Sequence, residues 1–305
     1  MRKLAIGTLL GAGLALSSCG EKSKTEGGTA ATAEEAKKAD SHVLADKGSG
    51  KLPAKGSSHT KESSGDMKDA KMNVEAAGQK MEGVMSRSET SVEKWEYLAD
   101  NKARRTLESK SVTGTMTMAG QDQPIPEETD ALTGVPVVIE LKDGKFTAAL
   151  ESGTATPEQT EALEKLNTTL EEDSDFAMYG DTPRKVGDKW SVDPKGLGAF
   201  GEAKDLSGTY TVEFVEIKDF EGTPCAVLKS LFEVTGKTES EGEGEPQMTV
   251  KIKGEALSHR SLADKVDLDA SITSTMTMEG SPAPQVKMNV EGPFNLHQKV
   301  SIKKP

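Results

Sequence analysis

The sequence predicts a mainly β protein, built as a large, bent antiparallel sheet with one α-helix near residues 157–171. Two observations predict this fold class. Long runs of the chain alternate apolar and polar residues with a period of two, the pattern of a strand with one buried face. Gly, Pro, Asp and Asn separate these runs at short intervals, which is typical of antiparallel hairpins. We expect the sheet to form a half-barrel or two similar β halves.

The longest alternation covers residues 266–278, where even positions are mostly apolar and odd positions are Asp, Ser or Thr. The segment EGSPAP then indicates a turn, and the alternation resumes with Val286, Met288 and Val290 and continues to Ile302. These residues predict a hairpin of two long strands. At about 3.3 Å per residue each strand would exceed ~40 Å, which suits a large bent sheet better than a compact sandwich.

Shorter runs upstream predict further hairpins. The segments VPVVIEL and KFTAALE flank Asp143-Gly144, a pair that favours a tight primed turn. The segments GTYTVEFVEIK and TPCAVLKSLFEVTGK flank another turn, DFEG. Residues 86–111 are ambiguous, because Val92 and Trp95 have helical spacing whereas residues 100–102 have the composition of a turn. We interpret this stretch as two strands.

One helix is expected at residues 157–171. Thr156 suits the N-cap, and Pro157 suits the first helical position because its missing N–H costs nothing there. Three leucines then follow at helical spacing and give one apolar stripe that can pack against a sheet: Leu163, Leu166 and Leu170.

The first residues predict export. Two basic residues precede an apolar run from Leu4 to Leu16, which is a secretory signal and is too short to span a membrane. The run ends in LSSC, which resembles the lipobox of bacterial lipoproteins. This resemblance implies cleavage between Ser18 and Cys19 and a diacylglycerol thioether, with further acyl chains such as palmitate, on Cys19. The alternative is an ordinary signal peptide in which this cysteine is incidental.

A lipidated Cys19 would anchor the protein, because two acyl chains are enough for stable membrane binding. Gly20 follows it, whereas an Asp there would retain an enterobacterial lipoprotein at the inner membrane. We therefore expect an outer-membrane protein that faces the periplasm or the cell surface.

Composition divides the rest of the chain. Residues 20–65 are rich in Gly, Ser, Ala, Lys and Glu and show no apolar period, so they cannot bury enough surface to offset their ordering entropy. We expect a disordered tether there and a folded domain after it. The predicted regions are a signal peptide (1–18), the lipidated Cys and tether (19–65), and one β domain (66–305) in two similar halves, about 66–182 and 183–305.

Several chemistries are excluded at this stage. The formal net charge of −12 gives no electrostatic support for binding nucleic acid. The only cysteines are Cys19 and Cys225, so no disulfide is expected within the exported chain. The sequence has no H-E-x-x-H, C-x-x-C or G-x-S-x-G motif, and GLGAFG lacks the helix that a nucleotide-binding loop requires. We expect no enzyme, no metal site and no cofactor.

The segment PRKVGDKW, residues 183–190, carries a family resemblance. Together with LTGVPVVIELKDGK before it and GTYTVEFVEIKDFEGTPCAVL after it, it resembles exported bacterial proteins, many of them lipoproteins, that are catalogued as a domain of unknown function. The resemblance runs from about Met72 to the end, and the Val-Gly-Asp-x-Trp turn is its most specific part. It implies an antiparallel β protein of two similar halves, with no assigned activity and no functional residue.

Methionines recur on the apolar side of the predicted strands, twice in nearly the same motif, GTMTMAG at 114–120 and STMTMEG at 274–280. The flexible thioether of methionine fills irregular gaps in a core, and the same property suits surfaces that accept varied apolar ligands. Both interpretations are open. The residues that would line an apolar-ligand face are Met116, Met118, Met276, Met278 and Met288.

Two functions follow from these expectations. The first is a membrane-anchored envelope lipoprotein that binds lipid or another apolar ligand on the Met-rich concave face. The alternative is a non-enzymatic structural or interaction protein that presents its acidic polar surface to another envelope protein. An exposed apolar groove would distinguish the two, because only the first requires one.

Overall fold

The computed structural model describes residues 41–46, 52–142, 145–171, 174–197, 203–238, 247–283 and 285–305. Their strands all belong to one antiparallel sheet, and two helices and a 3₁₀ turn join it. The predicted fold class is confirmed, including the helix at 157–171. The elements are β1 (Ser58–Ala76), β2 (Gln79–Ala99), β3 (Lys102–Met118), β4 (Gln121–Pro124), β5 (Pro136–Lys142), β6 (Lys145–Leu150), α1 (Pro157–Glu171), α2 (Ser174–Tyr179), β7 (Lys189–Val192), the 3₁₀ turn (Pro194–Leu197), β8 (Ala203–Phe220), β9 (Thr223–Thr238), β10 (Met248–Ser261), β11 (Asp267–Ala283) and β12 (Val286–Lys303).

The strand order of the sheet is β6-β5-β3-β2-β1-β12-β11-β10-β9-β8-β7, and β4 pairs with the end of β3. The chain starts at the centre of the sheet, runs outward to β6, crosses through α1 and α2, and returns from β7 to β12. The first and last strands pair along their length, from Ser58 opposite Lys303 to Ala76 opposite Val286. In the described residues the sheet stays open, with β6 and β7 as its edges.

The longest predicted hairpin is confirmed as β11 and β12, which pair from Asp269 opposite Lys299 to Ala283 opposite Val286. Residues 86–111 form parts of β2 and β3, so the two-strand interpretation of this stretch is also confirmed. The turn predicted at Asp143-Gly144 lies outside the described residues, although β5 and β6 pair on either side of it.

Both apolar cores lie on the same face of the sheet, which we call the inner face. The larger core joins β8–β12 and parts of β1–β3 to buried side chains of α2, the 3₁₀ turn and the segment 42–46. The smaller core packs the leucine stripe of α1 against β5 and β6, with Trp95 of β2 at its margin. The outer face carries most of the Thr, Ser, Lys and Glu residues of the long strands.

A buried arginine fastens the cover of the larger core to the sheet. Arg260 of β10 is 1% exposed and donates hydrogen bonds to Asp267 of β11 (2.9 Å), to Asp175 of α2 (2.7 Å) and to the carbonyl oxygen of Leu44 (2.7 Å). Its guanidinium lies 4.1 Å from the ring centre of Tyr179. Although burial lowers the pKa of Arg260, the two carboxylates raise it well above its usual range. Four separate segments therefore meet at one ionised side chain.

The folded domain begins earlier than the predicted boundary at residue 66. β1 starts at Ser58, and Leu44 and Ala45 are 1% and 2% exposed. The first half of β1 lacks an apolar alternation because its inward positions are polar or glycine, and this made it resemble a tether. The part of the predicted tether at 41–46 and 58–65 thus belongs to the fold, whereas the signal peptide 1–18 and Cys19 lie outside the described residues.

Candidate functional site

All five predicted methionines lie on the inner face, at one end of the sheet. Met276, Met278 and Met288 are 2%, 1% and 5% exposed and belong to the larger core. Met116 and Met118 are half-buried and pack against the same core. Three of the five are therefore core residues in this structure, and two lie where the core reaches the surface.

Pairing between strands links these methionines in rows across the sheet. Met118 lies opposite Gly83, Met72 lies on the other side of that glycine, and Val290 connects Met72 to Met278. A Cβ added to Gly83 would lie 2.5 Å from the Sδ of Met118 and 3.3 Å from the Cε of Met72. Glycine is required here because the two methionine side chains occupy the space above it.

A second row has the same construction. Met116 lies opposite Met85, which lies opposite Ala70, while Met276 lies opposite Gly292. A Cβ added to Gly292 would lie 2.5 Å from the Cβ of Ala70. At this point in the row, β12 and β1 therefore approach each other too closely for a side chain larger than glycine. The pairing of β1 with β12 thus joins methionines that are about 160 residues apart in the sequence.

The inner face is only partly covered at the β1–β4 end. The half-buried apolar side chains there form a patch that we call the Met margin, and it is continuous with the larger core. On β10–β12 the residues of the same rows are buried. The Met margin consists of Val74, Met116, Met118 and Ile125, which pack against the larger core, and of the half-buried Met81, which lies opposite Val74.

Sequence reasoning missed a charged region beside the methionine rows. Every second residue of β2 faces inward, beginning with Met81 and Met85, and the next inward residues are charged. This break in the apolar pattern is the signal that could have located the region. It lies between the methionine rows and the smaller core. We call it the polar strip, and it consists of Lys61, Ser63, Arg87, Glu89, Glu93, Arg105, Lys110 and Gln298.

Glu93 is the most strongly perturbed acid of the polar strip. Its Oε2 lies 2.5 Å from Nη2 of Arg105, and its Oε1 accepts a hydrogen bond from the indole N–H of Trp95. Burial raises the pKa of Glu93, but the charges of Lys61 and Arg105 and the two hydrogen bonds outweigh burial and lower the pKa to about 2. This carboxylate therefore stays ionised inside the protein at neutral pH.

Glu89, Lys110 and Arg87 of the strip also form ion pairs. Glu89 lies 3.3 Å from Nζ of Lys110 and 3.7 Å from Nη2 of Arg87. Arg87 also contacts Glu128, from the segment between β4 and β5, at 3.2 Å. The strip is thus a network of buried ion pairs, which accounts for its place in the protein interior.

His59 lies next to the strip, two residues before Lys61 on β1. Its ring stacks on Trp95 with centroids 5.8 Å apart, and its Nδ1 lies 2.9 Å from Oη of Tyr97. Burial lowers the pKa of His59 to about 4, against the opposing effect of Glu93. The imidazole is neutral at pH 7, so its Nδ1 can accept a hydrogen bond from the hydroxyl of Tyr97.

Three residues of the strip, Ser63, Glu89 and Gln298, have buried polar atoms without a hydrogen-bond partner among the described residues. Gln298 is fully buried, and within the described residues neither its Nε2 nor its Oε1 has a hydrogen-bond partner. Ser63 lies directly opposite on β1, and its Oγ also has no partner among those residues.

The Val-Gly-Asp-x-Trp segment has a structural role. The backbone N–H of Lys185 donates to Oδ2 of Asp188 in a tight turn that leads into β7. The indole N–H of Trp190 donates to the carbonyl oxygen of Met178 at 2.9 Å, and the guanidinium of Arg184 lies 4.6 Å from the indole ring centre. These contacts hold β7 against α2.

The outer face pairs its charges across neighbouring strands. Lys251 and Lys253 of β10 lie 2.6 and 3.0 Å from Glu233 of β9, and Lys229 lies 2.8 Å from Glu255. Because each carboxylate has a lysine partner, the negative charge on these strands is locally compensated.

Cys225 is fully buried, and burial raises the pKa of its thiol to about 12, so it has little thiolate character. Among the residues that the structure describes, no three His, Cys, Asp or Glu side chains are grouped as metal ligands. Within the same residues, no helix combines the length and hydropathy that a membrane span requires.

No protein-family profile and no curated protein matches the chain. Similar solved structures include lipovitellin, described for its lipid–protein interactions (9% identity, TM-score 0.40), and an outer membrane channel from Pseudomonas putida F1 (8%, 0.20). A β-barrel-like protein of a domain of unknown function from Brucella abortus is similar at 11% identity and a TM-score of 0.13. The alignments cover 82%, 85% and 83% of this chain, and 25%, 100% and 100% of the respective neighbours, so this chain spans about a quarter of lipovitellin. These values are too low to carry an argument about activity, ligand or location.

Proposed function

We propose that this protein is an outer-membrane lipoprotein that binds a lipid or another apolar molecule at the Met margin of its sheet. The supporting observation is that this margin is half-buried while the residues of the same rows on β10–β12 are fully buried. An apolar ligand that covered the margin would extend the existing core. The thioethers of Met116 and Met118 can adapt to ligands of different shape.

The ligand contacts in this proposal are fewer than the sequence analysis expected. Met276, Met278 and Met288 fill the core beside the margin, on the neighbouring strands β11 and β12. Met116 and Met118, together with Met81, Val74 and Ile125, would contact the ligand. The acyl chains on Cys19 would hold the domain at a membrane, where such ligands are concentrated.

The alternative, an interaction protein that uses an acidic surface, ranks second. It needs uncompensated negative charge, and the carboxylates of β9 and β10 are paired with lysines. Neither proposal involves nucleic acid, a cofactor or catalysis.

The test uses the full-length lipidated protein extracted from its own envelope. Native mass spectrometry should detect a co-purifying lipid, and the fluorescent fatty acid cis-parinaric acid should bind in competition with it. Met118→Glu should weaken binding of this probe about tenfold or more, because a carboxylate would face the ligand's apolar surface.

Val84→Glu is the matched control. Val84 neighbours Gly83 on the same strand but is exposed on the outer face, so this variant adds the same charge without reaching the margin. Absence of any co-purifying lipid, together with equal probe binding by both variants, would contradict the proposal.

A further inference from the structure

The outer face of the sheet carries a cluster of exposed apolar side chains on β8–β10. Val215, Leu231 and Leu257 are 42%, 53% and 41% exposed, and they are three of the five large apolar side chains that are exposed in the described residues. They surround Lys229 of β9. Leu257 lies opposite this lysine on β10, and Leu231 follows two residues later on the same face of β9. Val215 lies in the bulge of β8 that follows Glu213, the partner of Lys229 on that strand.

We call these three side chains the outer patch. The strand pattern does not account for them, because the outer positions beside Leu231 hold Thr211 on β8 and Glu255 on β10. Exposed apolar side chains that lie singly are normal on a protein surface, whereas a cluster within a polar surround is typical of an interaction site. The outer patch is therefore a candidate docking surface.

The charges around the outer patch are unlike those of the whole chain, which has a formal net charge of −12. On the outer faces of β9 and β10, lysines outnumber glutamates. These residues are Lys229, Lys237, Lys251 and Lys253, and Glu233 and Glu255. Both glutamates are paired, and two lysines share Glu233, at 2.6 and 3.0 Å. A lysine can lay its apolar stem beside a leucine while its ammonium group reaches outward.

This combination suits the surface of a phospholipid bilayer. Binding at such a surface increases with the apolar area that enters the headgroup region and with the attraction of basic residues to anionic lipids. An acidic surface would be repelled by the lipid phosphates, but here the acidic groups are paired and lysines are in excess.

The described chain also enters the fold beside the outer patch. The backbone of His42 exchanges two hydrogen bonds of 2.7 Å with that of Arg184, in the turn before β7. In the same turn the N–H of Gly187 donates to the carbonyl oxygen of Phe214 at 2.8 Å. Phe214 directly precedes Val215 of the outer patch. A tether from the N-terminus therefore reaches the domain at the β7–β8 edge, next to this surface.

We propose that the outer patch rests on the phospholipid surface of the membrane that holds the protein, so that the outer face of β8–β10 faces the bilayer. This inference goes beyond the proposed function, and it rests on the lipid anchor at Cys19 in that function. Leu231 and Leu257 enter the headgroup region, and the lysines around them pair with lipid phosphates. The Met margin, on the inner face and in the other half of the sheet, then points away from this bilayer.

The test uses the full-length lipidated protein with one cysteine introduced at the surface. Cys225 is buried and its thiol pKa is raised to about 12, so the fluorophore acrylodan should label an exposed cysteine selectively. In vesicles of phosphatidylethanolamine and phosphatidylglycerol, acrylodan on Leu257→Cys should emit at a shorter wavelength than acrylodan on Val84→Cys. It should also be quenched more strongly by a doxyl-labelled lipid.

Val84 is the matched position, because it is 40% exposed and lies on the outer face of β2, in the other half of the sheet. Equal emission and equal quenching at the two positions would overturn the inference. Adding Leu231→Glu to the Leu257→Cys protein should return the emission toward longer wavelengths, because a carboxylate beside the label resists transfer out of water. Adding Val84→Glu instead should leave the emission unchanged.

A second copy of this chain is the other occupant that the test can detect. The unlipidated full-length chain, Cys19→Ser, should sediment as a monomer. A dimer that Leu231→Glu dissociates would assign the outer patch to contacts between copies and overturn the inference.

Co-sedimentation of the lipidated protein with the vesicles separates this inference from the proposed function. If the protein does not co-sediment, the anchor fails, and the membrane docking of the outer patch fails with it. If it co-sediments but the label at position 257 stays in water, only this inference fails, and cis-parinaric acid still tests the Met margin independently.

Discussion

The motif Thr-Met-Thr-Met occurs in both halves of the sheet with opposite consequences. In β11 its methionines, Met276 and Met278, are 2% and 1% exposed, whereas in β3 the equivalent Met116 and Met118 are half-buried. Both copies place methionine inward and threonine outward. The difference comes from their neighbours, because β11 runs between two long strands while this end of β3 is flanked by β2 and the four-residue β4. Alternation decides which face a side chain occupies, and the neighbours decide whether it is covered.

The cover of the two halves differs in the same way. Over β8–β12 it consists of α2, the 3₁₀ turn and Leu44, and Arg260 fastens α2 and Leu44 to the sheet. Over the middle of β1–β3 the inner face is a strip of ion pairs. The first half of the sheet is therefore the more polar and open one, and the second half is the hydrophobic core. Three predictions test this contrast.

Arg260→Met should lower the free energy of unfolding by about 3–5 kcal/mol, because it leaves two buried carboxylates, Asp175 and Asp267, without their cation. Urea denaturation measures this loss. With the cover loosened, Met276 should also become oxidisable by peroxide at a rate closer to that of Met116, as peptide mass spectrometry would show.

Arg104→Met is the control, because its ion pair with Glu151 lies at the surface, and we expect little change in stability from it. If both arginine variants unfold at the same urea concentration, Arg260 does not fasten the cover.

Met278→Ala should destabilise the protein by about 2–5 kcal/mol, the usual cost of truncating a buried methionine. Met118→Ala, the same substitution at the matching position of the other copy, should cost about 1 kcal/mol, since its side chain is already partly in water. Chemical denaturation of the two variants measures the difference directly. Equal losses would mean that the two copies are equally covered and that the Met margin is closed.

Acid should destabilise the protein through the polar strip in two steps. The folded-state pKa of His59 is lowered from 6.5 to about 4, so the unfolded chain binds its proton first and stability falls by up to about 3 kcal/mol as the pH drops through that window. The folded-state pKa of Glu93 is lowered from 4.5 to about 2, so a second loss of stability follows as the pH drops from 4.5 toward 2.

Unfolding midpoints measured from pH 7 to pH 3 would show these slopes. His59→Phe should flatten the first slope and keep the stacking on Trp95, whereas His297→Phe, on the exposed side of β12, should leave it unchanged. A wild-type slope that survives His59→Phe would show that another group causes it.

The sequence was sufficient for the elements whose pattern is local. The hairpin of β11 and β12 follows from an uninterrupted alternation, and α1 follows from its N-cap, its proline and its leucine stripe. The start of β1 could not be predicted in the same way, because His59, Lys61 and Ser63 face ion pairs and aromatic rings from other strands and so carry no apolar signal.

The candidate site shows the same division. Parity along each strand placed all five methionines on one face, and the flexible thioether made that face a candidate for apolar ligands. The polar strip required knowledge of three strands at once, since Glu93 takes its charge partners from β1 and β3. A charged residue at an inward position resembles a surface residue until its partner is known.

By itself the sequence determined the mainly β class, the inward direction of the methionines and the position of α1, while the export signal and its lipobox stay predictions. These features depend on spacing along the chain, which a single sequence displays. The tertiary structure alone decided that β1 pairs with β12 and that one pair of methionines is covered while the other is half-buried. It also placed Gln298 opposite Ser63, where the side-chain polar atoms of both residues lack hydrogen-bond partners among the described residues. These contacts join segments up to 245 positions apart, from Ser58 to Lys303, because burial and hydrogen bonding are properties of neighbours in space.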